Sequence, residues 1–108
     1  MGYLHYGESH AFAFDDRTLT HLRTVILGKL NLQESLVLTW LDEGRQRSVW
    51  LHPTIPLQFE FEQDVTPELN PEWVEQLRSL ANSLAGLRLV EEAPRSAPEE
   101  RPARGADD

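Results

Sequence analysis

The chain has 108 residues, a formal net charge of −8 and a single lysine. A chain of this length fits one domain, and so few cations disfavour a surface that follows nucleic-acid phosphates. The chain contains no cysteine, which excludes disulfides, thiolate nucleophiles and thiolate metal ligands.

The N-terminus and the apolar runs bear on where the protein works. The start Met1-Gly2-Tyr3-Leu4 lacks the basic residues and continuous apolar stretch of a signal peptide. No run approaches the roughly 20 apolar residues of a membrane span. We therefore expect a soluble cytoplasmic protein that contacts neither a membrane nor nucleic acid directly.

The chain begins with two short aromatic segments, 3–6 and 10–14, joined by Gly7-Glu8-Ser9. Two such segments with a turn between them predict a β-hairpin. Asp15 and Asp16 follow, and either carboxylate can cap the helix that comes next. Apolar residues at helical spacing mark the buried side of this helix: Leu19, Leu22, Ile26 and Leu30.

Residues 35–62 contain three segments in which apolar and polar side chains alternate. This pattern predicts a three-stranded meander with one dry face and one face open to water or a partner. The dry face carries Leu36, Leu38, Trp40, Val49, Leu51, Leu57, Phe59 and Phe61. The opposite face carries Val37, Thr39, Trp50 and His52 beside Gln58, Glu60 and Glu62.

A second helix is predicted to start at Asn70-Pro71-Glu72, where a capping residue precedes proline and an acid. Its buried stripe would be Trp73, Leu77, Leu80 and Leu84, Gly86 would end it, and Leu87 and Leu89 would form a last strand. The order is ββαβββαβ, which predicts an α+β fold with one mostly antiparallel sheet and both helices on one face. The predicted domain covers 1–90. Residues 91–108 are rich in Pro, Ala and acids, without large apolar side chains, and we expect them to be a disordered tail.

Catalytic and metal chemistry find little support in the residue pattern. His5, Glu8 and His10 lie on one predicted hairpin, but their spacing matches no known metal signature. Asp15 and Asp16 are explained by helix capping. The six glycines form no phosphate-binding loop. We therefore expect no catalytic, cofactor-binding or metal-binding residues and no cofactor.

The open face of the meander is the strongest candidate for a functional surface. If the turn spans Asp42 to Gln46, Thr39 lies opposite Trp50 and Val37 lies opposite His52. An exposed apolar cluster of this kind marks partner contact. We therefore predict that Trp50, His52, Val37 and Thr39 bind a partner. The competing interpretation is that the N-terminal hairpin or the tail covers this face.

Five runs of the chain form a distinctive pattern: Met1-Gly2-Tyr3-Leu4-His5-Tyr6-Gly7, Phe14-Asp15-Asp16-Arg17-Thr18-Leu19, Trp50-Leu51-His52-Pro53-Thr54-Ile55-Pro56-Leu57, Leu69-Asn70-Pro71-Glu72-Trp73 and Gly86-Leu87-Arg88-Leu89-Val90. This pattern resembles a family of small uncharacterised actinobacterial proteins, often labelled ATP-dependent DNA ligase. The resemblance covers nearly all of 1–90 and implies no established mechanism. Ligases of that kind carry a Lys-x-Asp-Gly motif, whereas the only lysine here stands in Lys29-Leu30-Asn31-Leu32. We therefore expect no ligase activity.

The leading hypothesis is a non-enzymatic interaction module that binds a protein partner, or a second copy, through the open sheet face. One alternative is an accessory factor in DNA processing that acts by protein binding or by acidic charge. The other is a small metal-dependent enzyme that uses His5, Glu8 and His10.

Overall fold

The computed structural model describes residues 1–93. Six strands and two helices follow the order ββαβββαβ, which confirms the predicted α+β class and element order. The elements are β1 (Gly2–Tyr6), β2 (His10–Phe14), α1 (Asp16–Asn31), β3 (Leu36–Asp42), β4 (Arg45–Leu51), β5 (Leu57–Glu60), α2 (Pro71–Ala81) and β6 (Leu87–Arg88). Within this part of the chain, neither helix is long and apolar enough to cross a membrane. Residues 94–108 of the predicted tail lie outside the described residues.

The strands form two three-stranded sheets and not the single sheet that the sequence pattern predicts. One sheet has the order β2-β1-β5 and is antiparallel, and the other has the order β4-β3-β6 with β6 parallel to β3. The meander stops after β4 because the next loop contains Pro53 and Pro56, which have no N–H for a ladder. The backbone turns there, with Ile55 N donating to His52 O at 3.1 Å, and β5 pairs with β1 instead.

The β3–β4 hairpin closes through a two-residue turn, Glu43-Gly44, between paired Asp42 and Arg45. Both turn residues have positive φ, +52° and +80°, as a type I′ turn requires. The tighter turn shifts the register, so that Val37 lies opposite Trp50 and Thr39 opposite Ser48. The predicted pairs Thr39–Trp50 and Val37–His52 are therefore wrong by two residues. An even shift keeps every side chain on its predicted face.

Both helices and both sheets contribute to one apolar core. Helix α1 packs against β1 and α2, while α2 packs against β3 and β6. Phe12 and Phe14 join the sheets, since their ring centroids lie 5.1 and 5.2 Å from that of Trp40. The fully enclosed leucines and isoleucine are Leu4, Leu19, Leu22, Ile26, Leu38, Leu51, Leu77 and Leu87.

The helix starts follow the capping rules. Of the two candidate caps for α1, Asp15 is the one used, since its carboxylate accepts from Thr18 N at 3.1 Å. Asp16 instead accepts from the backbone N–H groups of Glu62 and Gln63 at 3.1 and 2.9 Å. Asn70 caps α2 by accepting from Glu72 N at 3.1 Å.

The end of α2 differs from the prediction. The helix ends at Ala81, before Gly86. Gly86 has φ +86°, and a Cβ built on it would lie 2.8 Å from Val37 O. This glycine therefore serves the close approach of the last strand to β3, and it does not stop the helix.

Candidate functional site

The outer face of the β4-β3-β6 sheet, called the open face below, carries residues from three strands. Because directly paired residues share a face, the register assigns Val37, Thr39 and Leu41 of β3, Gln46, Ser48 and Trp50 of β4, and Arg88 of β6 to it. His52 follows immediately after β4.

The four residues predicted to bind a partner differ in accessibility. Trp50 is 55% exposed, Val37 and His52 are half-buried, and Thr39 is only 8% exposed. Thr39 Oγ1 lies 2.8 Å from Ser48 Oγ, so its polar atom already has a partner within the sheet. Of these four residues, Trp50, Val37 and His52 therefore present the accessible surface, and Thr39 is almost fully buried beside them.

Trp50 is held in place from several sides. Its backbone pairs with Val37, and its carbonyl oxygen accepts a hydrogen bond from the Tyr6 hydroxyl of the other sheet. Its ring centroid lies 4.9 Å from that of His52. Burial raises the pKa of Tyr6, so this phenol stays protonated and able to donate. The indole is thus exposed on a backbone that neighbouring strands immobilise.

His52 is oriented by the loop that follows β4. Its Nδ1 accepts from Thr54 N at 3.2 Å and lies 2.8 Å from Thr54 Oγ1. In the neutral imidazole the proton then resides on Nε2. Nε2 is therefore the donor of this ring, which lies beside the indole of Trp50.

Four residues of the open face were missed by the sequence prediction: Leu41, Gln46, Ser48 and Arg88. Leu41, which is 69% exposed, continues the alternation of Val37 and Thr39, and that spacing was enough to find it. Arg88 joins the face because β6 pairs parallel to β3 beside Thr39. A two-residue strand distant in sequence carries no signal from which that pairing could be read.

The hairpin residues considered for a metal site do not converge. His5 pairs with Ala11 and His10 with Tyr6, so the two imidazoles lie on opposite faces of the hairpin. His5 Nε2 instead lies 2.7 Å from Glu60 Oε1 on β5. Within residues 1–93, no three histidine or carboxylate side chains are close enough together to hold a metal ion.

A second polar cluster lies where Leu89–Glu92, called the C-terminal clasp below, crosses the starts of both helices. Arg17 donates from Nε and Nη2 to the two carboxylate oxygens of Glu92 at 2.7 and 2.6 Å. Asn70 Nδ2 donates to the same carboxylate at 2.8 Å. The hydrogen bonds from Arg17 and then from Asn70 lower the pKa of Glu92 from 4.5 to about 2. The packed chain thus extends two residues past the predicted boundary at Val90.

The clasp encloses the buried residues His21 and Trp73. His21 Nε2 accepts from Asn70 N at 2.8 Å, so Nδ1 carries the proton and donates to Arg17 O at 2.7 Å. The ring centroids of His21 and Trp73 lie 4.5 Å apart. Trp73 Nε1 donates to Val90 O at 2.9 Å. Every polar atom of these two rings is therefore satisfied inside the fold.

A cleft of about 310 Å³ lies beside the clasp. It is lined by Asp15, Arg17, Thr18, Leu41, Trp73, Leu89, Val90, Glu91 and Glu92. Its volume is at the lower end of the range for small-molecule sites.

Comparison with known proteins places the chain in a family without an assigned activity. A family model described as a domain of unknown function, DUF7882, matches residues 1–92, and the chain belongs to this family. The match ends at Glu92, the carboxylate that closes the clasp. No curated protein and no solved structure matches the chain.

Proposed function

We propose that this chain is a non-enzymatic interaction module that binds a protein partner, or a second copy of itself, through the open face. The observation that carries this proposal is Trp50, whose indole is more than half exposed although its backbone is held by two sheets. An exposed tryptophan on a mobile loop would be weak evidence for a binding site. An exposed tryptophan on a rigid strand is stronger evidence, because it can bind a partner with a small loss of conformational entropy.

The neighbours of Trp50 suit protein contact. Leu41 and Val37 extend the apolar area, and Arg88 adds a guanidinium at the opposite edge of the sheet. Tryptophan and arginine are the residues that most often dominate binding energy at interfaces. Among residues 1–93, the strand residues that the register places on the open face include no carboxylate, although the whole chain has a net charge of −8. A partner that contacts these strand residues therefore meets no acidic side chain on them.

The surroundings of Lys29 support a non-enzymatic role over the ligase label suggested by the resemblance. Lys29 Nζ lies 2.7 Å from Glu34 Oε1 and donates to Asn82 Oδ1 at 2.9 Å. An adenylate acceptor must present a free, neutral amine to the nucleotide. The amine of Lys29 is instead engaged by Glu34 and Asn82 within the fold.

The test is a pair of charge substitutions in the full chain. Trp50→Glu places a carboxylate in the centre of the open face, whereas Leu84→Glu places one on a fully exposed residue after α2. Light scattering measures self-association, and affinity capture from cell extract with mass spectrometry identifies a partner. We expect Trp50→Glu to lose the dimer or the partner and Leu84→Glu to keep it.

Circular dichroism must show that both variants are folded. If Trp50→Glu keeps the same partner, or the same dimer, with unchanged affinity, the open face is not the interface. The identity of a captured partner also separates a general interaction module from an accessory factor in DNA processing.

A further inference from the structure

The polar groups beneath the C-terminal clasp are held in place without help from Glu92. Arg17 Nη1 donates to Glu68 O at 3.0 Å. Asn70 is 4% exposed, and its Oδ1 accepts from Glu72 N while its backbone N–H donates to His21 Nε2. Removing the Glu92 side chain would therefore leave the Arg17 fork and the Asn70 amide pointing at the same place.

These donors match a carboxylate. The Nε and Nη2 groups of Arg17 meet one oxygen each, and Asn70 Nδ2 adds a third hydrogen bond. A paired guanidinium fork selects planar, two-oxygen anions over point charges. The 310 Å³ cleft is lined by the same arginine and by four apolar side chains, Leu41, Trp73, Leu89 and Val90, together with the polar residues Asp15, Thr18, Glu91 and Glu92.

We propose that Arg17 and Asn70 form a carboxylate-binding site that the chain's own Glu92 occupies, and that an apolar molecule bearing a carboxylate takes its place. The carboxylate of such a ligand would bind the Arg17 fork, and its apolar part would lie in the cleft. Two sources share this chemistry, a small organic acid and the C-terminal carboxylate of a peptide.

The exchange requires only a short movement of the chain. Leu89 is held by its N–H to Thr39 O at 2.8 Å, and Val90 by the indole of Trp73 at 2.9 Å. Glu92 can therefore leave while the clasp stays attached at these two residues. Because Glu92 is tethered, its effective concentration is on the order of millimolar or higher. A competing carboxylate must gain apolar contacts in the cleft to displace it.

The test uses the full chain with the substitution Glu92→Ala and hexanoate as the probe, followed by NMR of the Arg17 Nε–H, the Asn70 amide and the Trp73 indole. We expect saturable shifts of these three groups, with an affinity at least tenfold higher than that of the wild-type chain. Hexanamide, which has the same apolar tail without the charge, should cause no such shifts. Adding Arg17→Met to Glu92→Ala should weaken hexanoate binding at least tenfold. Arg23 is on the same helix as Arg17, but its guanidinium lies over the ring of Phe61. Adding Arg23→Met to Glu92→Ala should therefore leave hexanoate binding unchanged.

A second measurement covers the case in which Glu92→Ala does not fold. In the wild-type chain, hexanoate at high concentration should move the Glu92 side-chain carboxylate resonance as that carboxylate is released.

The peptide acetyl-Ala-Ala-Leu, with a free or an amidated C-terminus, separates the two ligand sources. Stronger binding of the free peptide than of hexanoate assigns the site to polypeptide C-termini, and the reverse order assigns it to small acids. If neither carboxylate perturbs Arg17, Asn70 or Glu92, the proposal is wrong and the cluster only fastens the clasp.

Discussion

One tryptophan lies on the open face and another lies beneath the C-terminal clasp, and the two indoles have opposite surroundings. Trp73 is 4% exposed, contacts the His21 ring at a tilt of 38° and donates to Val90 O. Trp50 is 55% exposed, and among residues 1–93 its indole nitrogen has no hydrogen-bond acceptor. Trp73 completes the fold beneath the clasp. Trp50 stays accessible on the open face, which is why we propose that the partner protein or second copy binds there.

The largest expected effect comes from removing each indole in turn. Trp73→Ala should destabilise the fold by about 3 kcal/mol or more, because it leaves a cavity and an unsatisfied carbonyl. Trp50→Ala should cost about 1 kcal/mol or less, as is usual for an exposed side chain. Urea titrations followed by circular dichroism measure both. Equal losses would show that Trp50 is part of the core and would remove the contrast.

The ion pair of the clasp gives the next largest effect. Glu92→Gln should lower the free energy of unfolding by about 1–2 kcal/mol at neutral pH, because it weakens the charge-assisted bonds to Arg17. The side chain is 20% exposed, so solvent screens part of the attraction.

The difference in the free energy of unfolding between the wild-type chain and Glu92→Gln should depend on pH, and its sign follows from the pKa of Glu92. The pKa of Glu92 is lower in the folded chain, so its contribution is complete above the ordinary value of 4.5 and is lost as the pH falls towards about 2. Urea titrations of both chains between pH 2 and pH 7 should therefore converge in acid. A constant difference across this range would mean that the glutamine disturbs packing and not the charge pair.

Shortening the chain tests where its folded part ends. A chain that stops at Ala93 keeps the whole clasp, and its melting temperature should equal that of the full-length protein within a few degrees. Substituting Glu92→Gln in the short chain should lower its stability as much as it does in the full chain. A fall of many degrees on shortening alone would show that residues after 93 contribute to folding.

The smallest expected effect is the absence of a reaction. Incubation with radiolabelled ATP should leave no label on the protein after denaturing electrophoresis, because Lys29 lacks the ligase motif and is held by Glu34 and Asn82. Label that persists in the wild-type chain and disappears in Lys29→Ala would overturn this expectation.

Local patterns were sufficient for the element order, the cap at Asn70 and the two faces of β3 and β4, and they narrowed the cap of α1 to Asp15 or Asp16. They were insufficient for pairings between distant segments. β5 pairs with β1 because two prolines turn the chain away from β4, and alternation alone does not choose between the two partners.

The clasp was missed for a similar reason. Glu92 has the composition of a tail residue, while its partner Arg17 is 75 residues away. Arg88 joins the open face through a strand of two residues, too short to show any period. Contacts across such separations are set by the packed fold and leave no local mark in the sequence.

The central claim is that the partner protein, or a second copy of the chain, binds the open face and not the clasp. Labelling the tryptophans with ¹⁵N gives separate indole signals for Trp40, Trp50 and Trp73, which can be followed as the protein concentration rises and as extract of the producing cells is added. We predict that the Trp50 signal shifts or broadens far more than the Trp73 signal. A Trp50 signal that stays unchanged while a complex forms by light scattering would contradict the account.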